Sequence, residues 1–273
     1  MTIALDRLPQ SWQGLTHRLT YKYFQVRIDT PKDPYKILFR PQPYQVLFIL
    51  SHMRSGSSLL THILNSNPEI IGFGETHLVY ESEEDFKTLM FQLYWRLKDL
   101  NMNHKYILDK VLHDQKFLDH SFLQSDPVKT IFLLREPQRT LASILDIKPH
   151  QNEQHALGYY TGRLATLESY AQLINSKEKS LFITHDQVLN QSQLVFNSLQ
   201  SHLDTKTGFS EEYRVLKTTG SRGIGDSSEN IKAGKIIKQA RKLDIEISDA
   251  VLTQAQKAYD RCYETLSHYC DCI

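Results

Sequence analysis

Five apolar residues, Val46-Leu47-Phe48-Ile49-Leu50, lead without interruption into Ser51-His52-Met53-Arg54-Ser55-Gly56-Ser57-Ser58, after which Leu59, Leu60, Ile63 and Leu64 resume at helical spacing. An unbroken apolar run of this length reads as a strand buried on both faces, which belongs in a sheet covered by helices. The small residues that follow make a tight loop opening a helix. Backbone N–H groups are accessible in such a loop, and the helix dipole points its positive end at the same place, so the feature is a cradle for an oxyanion. A triphosphate-binding loop of the Walker type has a lysine between its last glycine and its Ser/Thr. Here that place is Ser57, the place of the opening glycine is Ser51, and the permanent cation inside the loop is Arg54.

The chain has 273 residues, enough for a full core, and is expected to form one α/β domain over 1–273. Residues 1–43 contain Pro and Tyr without a long period and read as a lead-in packed across the domain. Residues 208–234, rich in Gly, Ser, Thr and Lys, form the longest irregular stretch, and 246–273 a C-terminal helix and tail. Long unpatterned segments inside a compact domain are commonly functional covers or disordered.

Lys and Arg number 32 against 31 Asp and Glu, which excludes a broad basic field for nucleic acid but not a local basic pocket. No apolar run has the length of a membrane span. Asp6 and Arg7 interrupt the apolar residues of 1–12, so no signal peptide is read and a cytoplasmic location is expected. The cysteines, Cys262, Cys270 and Cys272, cluster near the C-terminus. Even with His268 beside them they fall short of the four ligands of a closed zinc site, so they read as free thiols and no metal site is expected.

Short apolar runs alternate with helical patterns along the core, the signature of a parallel sheet between helices. Candidate strands are 46–50, 69–71, 106–112, 130–134 and 180–184. Candidate helices begin near Ser58, Glu83, Asp114, Gln138, Glu153, Gln187 and Ser248. In the fifth of these, Leu157, Tyr160, Leu164, Leu167, Ala171 and Ile174 make a core-facing stripe.

A second anion site is read in Thr130-Ile131-Phe132-Leu133-Leu134-Arg135-Glu136-Pro137-Gln138-Arg139-Thr140-Leu141-Ala142-Ser143. The strand ends at Arg135, Pro137 starts a helix, and Ser143 lies on its second turn, so Arg135 and Ser143 can converge on one phosphate. A structural ion pair for Arg135 is the competing reading.

With both sites in hand, the chain resembles the sulfotransferases that use 3′-phosphoadenosine-5′-phosphosulfate (PAPS). Residues Arg54, Ser55, Gly56, Ser57, Ser58 and Leu59 resemble the family's 5′-phosphosulfate loop in the Arg-Ser-Gly-Ser form of carbohydrate and tyrosylprotein sulfotransferases. Leu134-Arg135-Glu136-Pro137 with Arg139 and Ser143 resembles the 3′-phosphate segment. Residues 183–189 are similar to a later strand-to-helix landmark, usually Tyr-Glu-Asp-Leu, and depart from it at several positions. The resemblance, over roughly 45–235, implies a P-loop NTPase-like three-layer fold with a mostly parallel central sheet. It implies sulfuryl transfer from PAPS to a hydroxyl acceptor, with PAPS as co-substrate and no metal. It also implies that Arg222 and Gly223, in a late loop, contact the 3′-phosphate, although a mobile surface loop explains that segment equally well.

Such a transfer needs a base for the acceptor hydroxyl and cations for the leaving oxygen. Glu75, in Gly72-Phe73-Gly74-Glu75-Thr76, resembles the Gly-Glu element of tyrosylprotein enzymes; the alternative is a cap on the following helix. His113 competes, because the cytosolic enzymes place a histidine at the end of a comparable strand, and against that stands an ordinary helix-start residue. Lys110 sits in an apolar strand, where burial is costly unless it faces an anion or carboxylate; the family's lysine at a similar place, with Arg54, implies charge neutralisation at the leaving group. A regular strand points Lys110 and His113 to opposite faces, so they share a site only if it twists or ends first. Tyr80, Phe86, Tyr94, Trp95, Tyr159 and Tyr160 offer an aromatic pocket, yet at helical spacing they read better as core. A P-loop kinase or NTPase, and a non-catalytic nucleotide-binding domain, are the rival functions. Acceptor identity and oligomeric state are not legible.

Overall fold

The computed structural model describes residues 10–216, 219, 229–239 and 243–273. Its centre is a sheet of six parallel strands in the order β2-β3-β1-β4-β5-β6. These are β1 (Gln45–Ser51), β2 (Ile70–Ile71), β3 (Tyr106–Val111), β4 (Val128–Leu134), β5 (Ser180–Thr184) and β6 (Asp271–Cys272). The helices are α1 (Gln10–Asp29), α2 (Ser57–Ser66), α3 (Asp85–Leu97), α4 (Pro137–Ile147), α5 (Glu153–Ile174), α6 (His185–Asn190), α7 (Ser192–Leu203), the one-turn α8 (Glu229–Lys232) and α9 (Asp249–Tyr269).

The unbroken apolar run of β1 has the reason expected of it. Val46, Phe48 and Leu50 enter a core beneath α1, α3, α5 and α9, while Leu47 and Ile49 enter a second core beneath α2 and α7. Because β1 pairs with β3 on one side and β4 on the other, strand order reverses there, and the crevice at its carboxyl end is where open α/β sheets bind ligands.

The structure overturns one expectation and refines three. The lead-in 1–43 contains the 20-residue α1, hidden in the sequence because its apolar residues do not gather on one face. Only the 3₁₀ turn Asp114–Lys116 forms where a helix was expected near Asp114. The helix expected near Gln187 begins at His185, after a capping box in which Gln187 N donates to Thr184 Oγ1 and Thr184 N donates to Gln187 Oε1. The tail adds β6 beside β5. Of the irregular stretch 208–234, the base is stitched: Tyr213 N donates to Gly234 O at 2.8 Å and Ile236 N to Glu211 O at 2.9 Å.

Arg163 on α5 is fully buried, and the stripe read from the sequence does not include it. Its Nε donates to Ser51 O (2.9 Å), Nη2 to Val111 O (2.8 Å) and Nη1 to Asp114 Oδ1 (2.8 Å), so one guanidinium holds the carboxyl ends of β1 and β3 together. Arg163→Ala should lower the unfolding free energy by about 3–5 kcal/mol in urea titrations. Arg163→Lys should restore only a small part of it, because an ammonium cannot reproduce the fork.

Candidate active site

The loop 52–56 leaves β1 with Arg54 in a left-handed conformation (φ 63°) and Gly56 at φ 90° as N-cap of α2. The first intrahelical bond is Leu60 N to Gly56 O (3.2 Å), so the amides of Ser57, Ser58 and Leu59 lie ahead of it, at the positive end of the helix. Ser51 Oγ donates to Leu133 O (2.6 Å) and lies 2.6 Å from Ser55 Oγ. A hydroxyl has one proton, so Ser55 is the donor of that second contact. The Ser55 hydroxyl is therefore a brace inside the loop, and what Ser55 offers a ligand is backbone. Leu59 likewise buries its side chain in the core under α2.

Two histidines shape the loop from beneath and above. Arg135 N donates to His52 Nε2 (3.1 Å), which puts the His52 proton on Nδ1, facing Met53 O at 2.9 Å. Burial, then the positive charges of Arg163 and Arg135, press the His52 pKa down to about 4. His185, first residue of α6, packs on Gly56 so closely that a Cβ there would sit 2.2 Å from its Cδ2. Burial, followed by Arg135, Arg139 and His52, lowers the His185 pKa to about 3. Sequence reading passed over both; the place of His185 in the 183–189 landmark was the available signal for one of them.

The two stretches expected to bind anions meet in one crevice. Arg54 Nε donates to Ser143 Oγ at 2.8 Å, and Arg135 Nη1 donates to Arg54 O at 3.0 Å. Arg139 stays outside, its backbone N capped by Glu136 (3.1 Å) and its Nε 3.7 Å from Glu136 Oε1.

Glu75, Lys110 and His113 also come together. Glu75 follows Gly74, whose φ of 119° suits glycine alone, and His113 Nε2 lies 3.9 Å from Glu75 Oε1. Strand β3 ends at Val111, before His113, which frees the imidazole from the alternation that separated it from Lys110. Lys110 Nζ donates to Ser58 Oγ (3.3 Å) at the start of α2, linking this group to the loop after β1. Glu75 caps no helix, since α3 begins ten residues later with Glu84 at its N-cap. Burial raises the Glu75 pKa against the opposing pull of Lys110, while burial and then Arg163 lower that of His113.

Asp109, overlooked as a positioning group, anchors the Glu75 loop. It accepts from Thr76 N (3.0 Å), Thr76 Oγ1 (2.6 Å), Tyr80 Oη (2.7 Å) and Lys110 N (2.8 Å) on the sheet face away from Lys110. Of the six candidate pocket aromatics, Tyr80, Phe86, Tyr94 and Tyr160 are fully buried core and Trp95 packs against α1. Tyr159 lines this site, accepting from Met53 N and donating to Leu112 O, both at 2.8 Å, with its ring beside His113, while buried Tyr160 meets it from below through its ring on His52 and its bond to Arg135 O. Arg222 and Gly223 lie outside the described residues. Among the described residues no group of three or more His, Cys, Asp or Glu could hold a metal ion.

No protein-family model matches this chain, and no curated protein sequence does. Among solved structures, the sulfotransferase domain from the curacin biosynthetic pathway superposes with a TM-score of 0.50 at 13% identity, covering 82% of this chain and 99% of that one. The fold is that of a sulfotransferase domain. A mouse sulfotransferase complexed with PAP gives a TM-score of 0.40 at 14% identity, covering 68% of this chain and 64% of its own.

Gly56→Ala should destabilise the protein beyond the ~1–2 kcal/mol of a left-handed alanine, because the new methyl meets His185. Adding His185→Ala should return part of that loss, a favourable coupling of about 1 kcal/mol in a double-mutant cycle. The depressed histidine pKa values give a second expectation. Between pH 6.5 and about 4 the unfolded chain takes up a proton at residue 52 that the native state refuses, so stability falls as pH is lowered through that window. Urea midpoints across that range should show the fall, with a flatter slope in His52→Gln.

Proposed function

We propose that this protein is a sulfotransferase, moving the sulfuryl group of PAPS to a hydroxyl of a saccharide, peptide or small-metabolite acceptor. The observation that carries this reading is the bond from Arg54 to Ser143, which joins a helix-start cradle to a second cationic site. A donor with a 5′-phosphosulfate and a separate 3′-phosphate has two anionic groups to match them. The amides of Ser58 and Leu59 face the first group, while Ser57 N is taken by Ser55 Oγ (3.3 Å). Arg135 and Ser143 face the second, with Arg54 between them. The absence of a Walker lysine at Ser57 argues against a triphosphate in the same place.

In this reading the acceptor oxygen attacks sulfur in line, the bond from sulfur to the 5′-phosphate oxygen breaks, and the hydroxyl proton passes to Glu75. Lys110 and Arg54 neutralise the charge gained by the leaving oxygen. His113 complements rather than replaces Glu75. Their facing atoms are 3.9 Å apart, too far to bond to each other but spaced so that one hydroxyl set off the line between them reaches both. An acceptor held there donates to the carboxylate and accepts from the imidazole, which also fixes its orientation.

The first experiment is calorimetry with adenosine 3′,5′-bisphosphate against ATP with magnesium. Preference for the bisphosphate is expected, and tighter binding of ATP would sink the reading. Once an acceptor is found, Glu75→Gln should keep bisphosphate affinity and lose roughly 10²–10⁴ in kcat. The acid limb of kcat/KM should lie above the ordinary glutamate value of 4.5, because burial raises the Glu75 pKa and the carboxylate must be ionised to act.

A further inference from the structure

Helix α1 is apolar on two opposite sides. Tyr21 and Phe24 turn toward α3, where their rings meet the edge of Trp95 at centroid distances of 5.3 and 6.5 Å, and Ile28 is fully buried on the same side. Directly across the helix, at i, i+4 and i+7, Leu19, Tyr23 and Val26 are 59%, 39% and 51% exposed. Beside them stands Phe39, 86% exposed and at a left-handed φ of 62°. A bulky residue is rarely found in that conformation, and a phenylalanine in water forgoes burial as well. It is nevertheless held there: Leu38 N donates to Arg27 O (2.7 Å) and Arg27 Nε returns a bond to Leu38 O (3.0 Å). Strain kept in place at an exposed aromatic points to use of that aromatic.

The charge bordering this stripe is mainly positive, with Asp29 on the last turn of α1 as the exposed exception. From residue 10 to residue 28 the sequence has no carboxylate. On the helical wheel Arg18 and Lys22 border the stripe on one side and Arg27 on the other, and Lys32 is exposed just beyond the helix. The segment bonded to α1 through Leu38 runs into β1 with Tyr44 N donating to Tyr35 O (2.7 Å), so the surface lies by the amino end of β1, away from the crevice at the carboxyl ends of the strands.

We infer that this face of α1, with Phe39, seats on an anionic membrane surface. Leu19, Val26 and Phe39 enter the boundary between headgroups and acyl chains, and Arg18, Lys22 and Arg27 meet the lipid phosphates and carboxylates. Such an attachment lies on the bilayer; among the described residues no helix is long and apolar enough to cross one. The inference does not depend on the chemistry of the crevice.

Sedimentation of the full chain with phosphatidylcholine vesicles, with and without phosphatidylserine, tests it. The protein should pellet with the anionic vesicles, remain in solution with the neutral ones, and be released by salt. Leu19→Ser combined with Phe39→Ser should weaken binding by roughly tenfold or more. Arg18→Glu and Lys22→Glu should each cost at least about fivefold. All four positions are exposed, so the melting temperature and bisphosphate affinity should stay those of the parent chain. The inference is overturned if the parent fails to pellet with anionic vesicles at low salt, or if the variants pellet as it does. It is equally overturned if these substitutions instead dissolve a self-associated form that binds no vesicles, which would make the face a contact between copies of the chain.

Discussion

Three side chains on neighbouring turns of α5 tie together the strand ends from which most of the crevice is built. Arg163 joins the last carbonyls of β1 and β3. Tyr159 joins Met53 to Leu112, and Tyr160 donates to Arg135 O at 2.8 Å. The loops leaving β1, β3 and β4 therefore start from fixed points on a single helix. A buried guanidinium is tolerable only because all its bonds are made to strongly accepting groups. The arrangement is also electrostatic, since Arg163 helps keep His52 and His113 below their ordinary pKa.

That neutrality matters for the site. His52 works as a fixed hydrogen-bond relay, proton on Nδ1 and acceptor on Nε2, and His185 as a packing surface over Gly56. Neither adds a titrating charge near neutral pH. The positive charge of the crevice then rests with Arg54, Arg135 and Lys110, each tied into the loop or helix start that it serves. Asp109 does the corresponding work beside Glu75, where four donors hold it against the loop that carries Glu75. A preorganised site of this kind spends little reorganisation when a charged group arrives.

Much of the fold was legible because it is written in local period. The central strands follow continuous apolar runs, and the 180–184 strand matches residue for residue. Helix α1 was not, since apolar residues on both its faces cancel the periodic signal. The stretch after Asp114 failed for a different reason: Asp114 is drawn into the bond with Arg163, and the chain makes only a 3₁₀ turn before Phe117 enters the core. In the candidate site, the residue types and their host elements were readable, but their partners were not. Arg54 and Ser143, 89 positions apart, bond directly. Glu75 and His113, weighed from sequence as rivals, are neighbours.

Local sequence was enough for a parallel α/β sheet with a tight, small-residue loop opening a helix after its first strand, because strand burial and helix starts depend on nearby residues. Long-range contacts settle that the two loop motifs share one crevice, that the Ser55 hydroxyl is turned inward, and that Lys110 and His113 reach the same place. Those outcomes depend on where strands end and on bonds from a distant helix, and no local pattern encodes them.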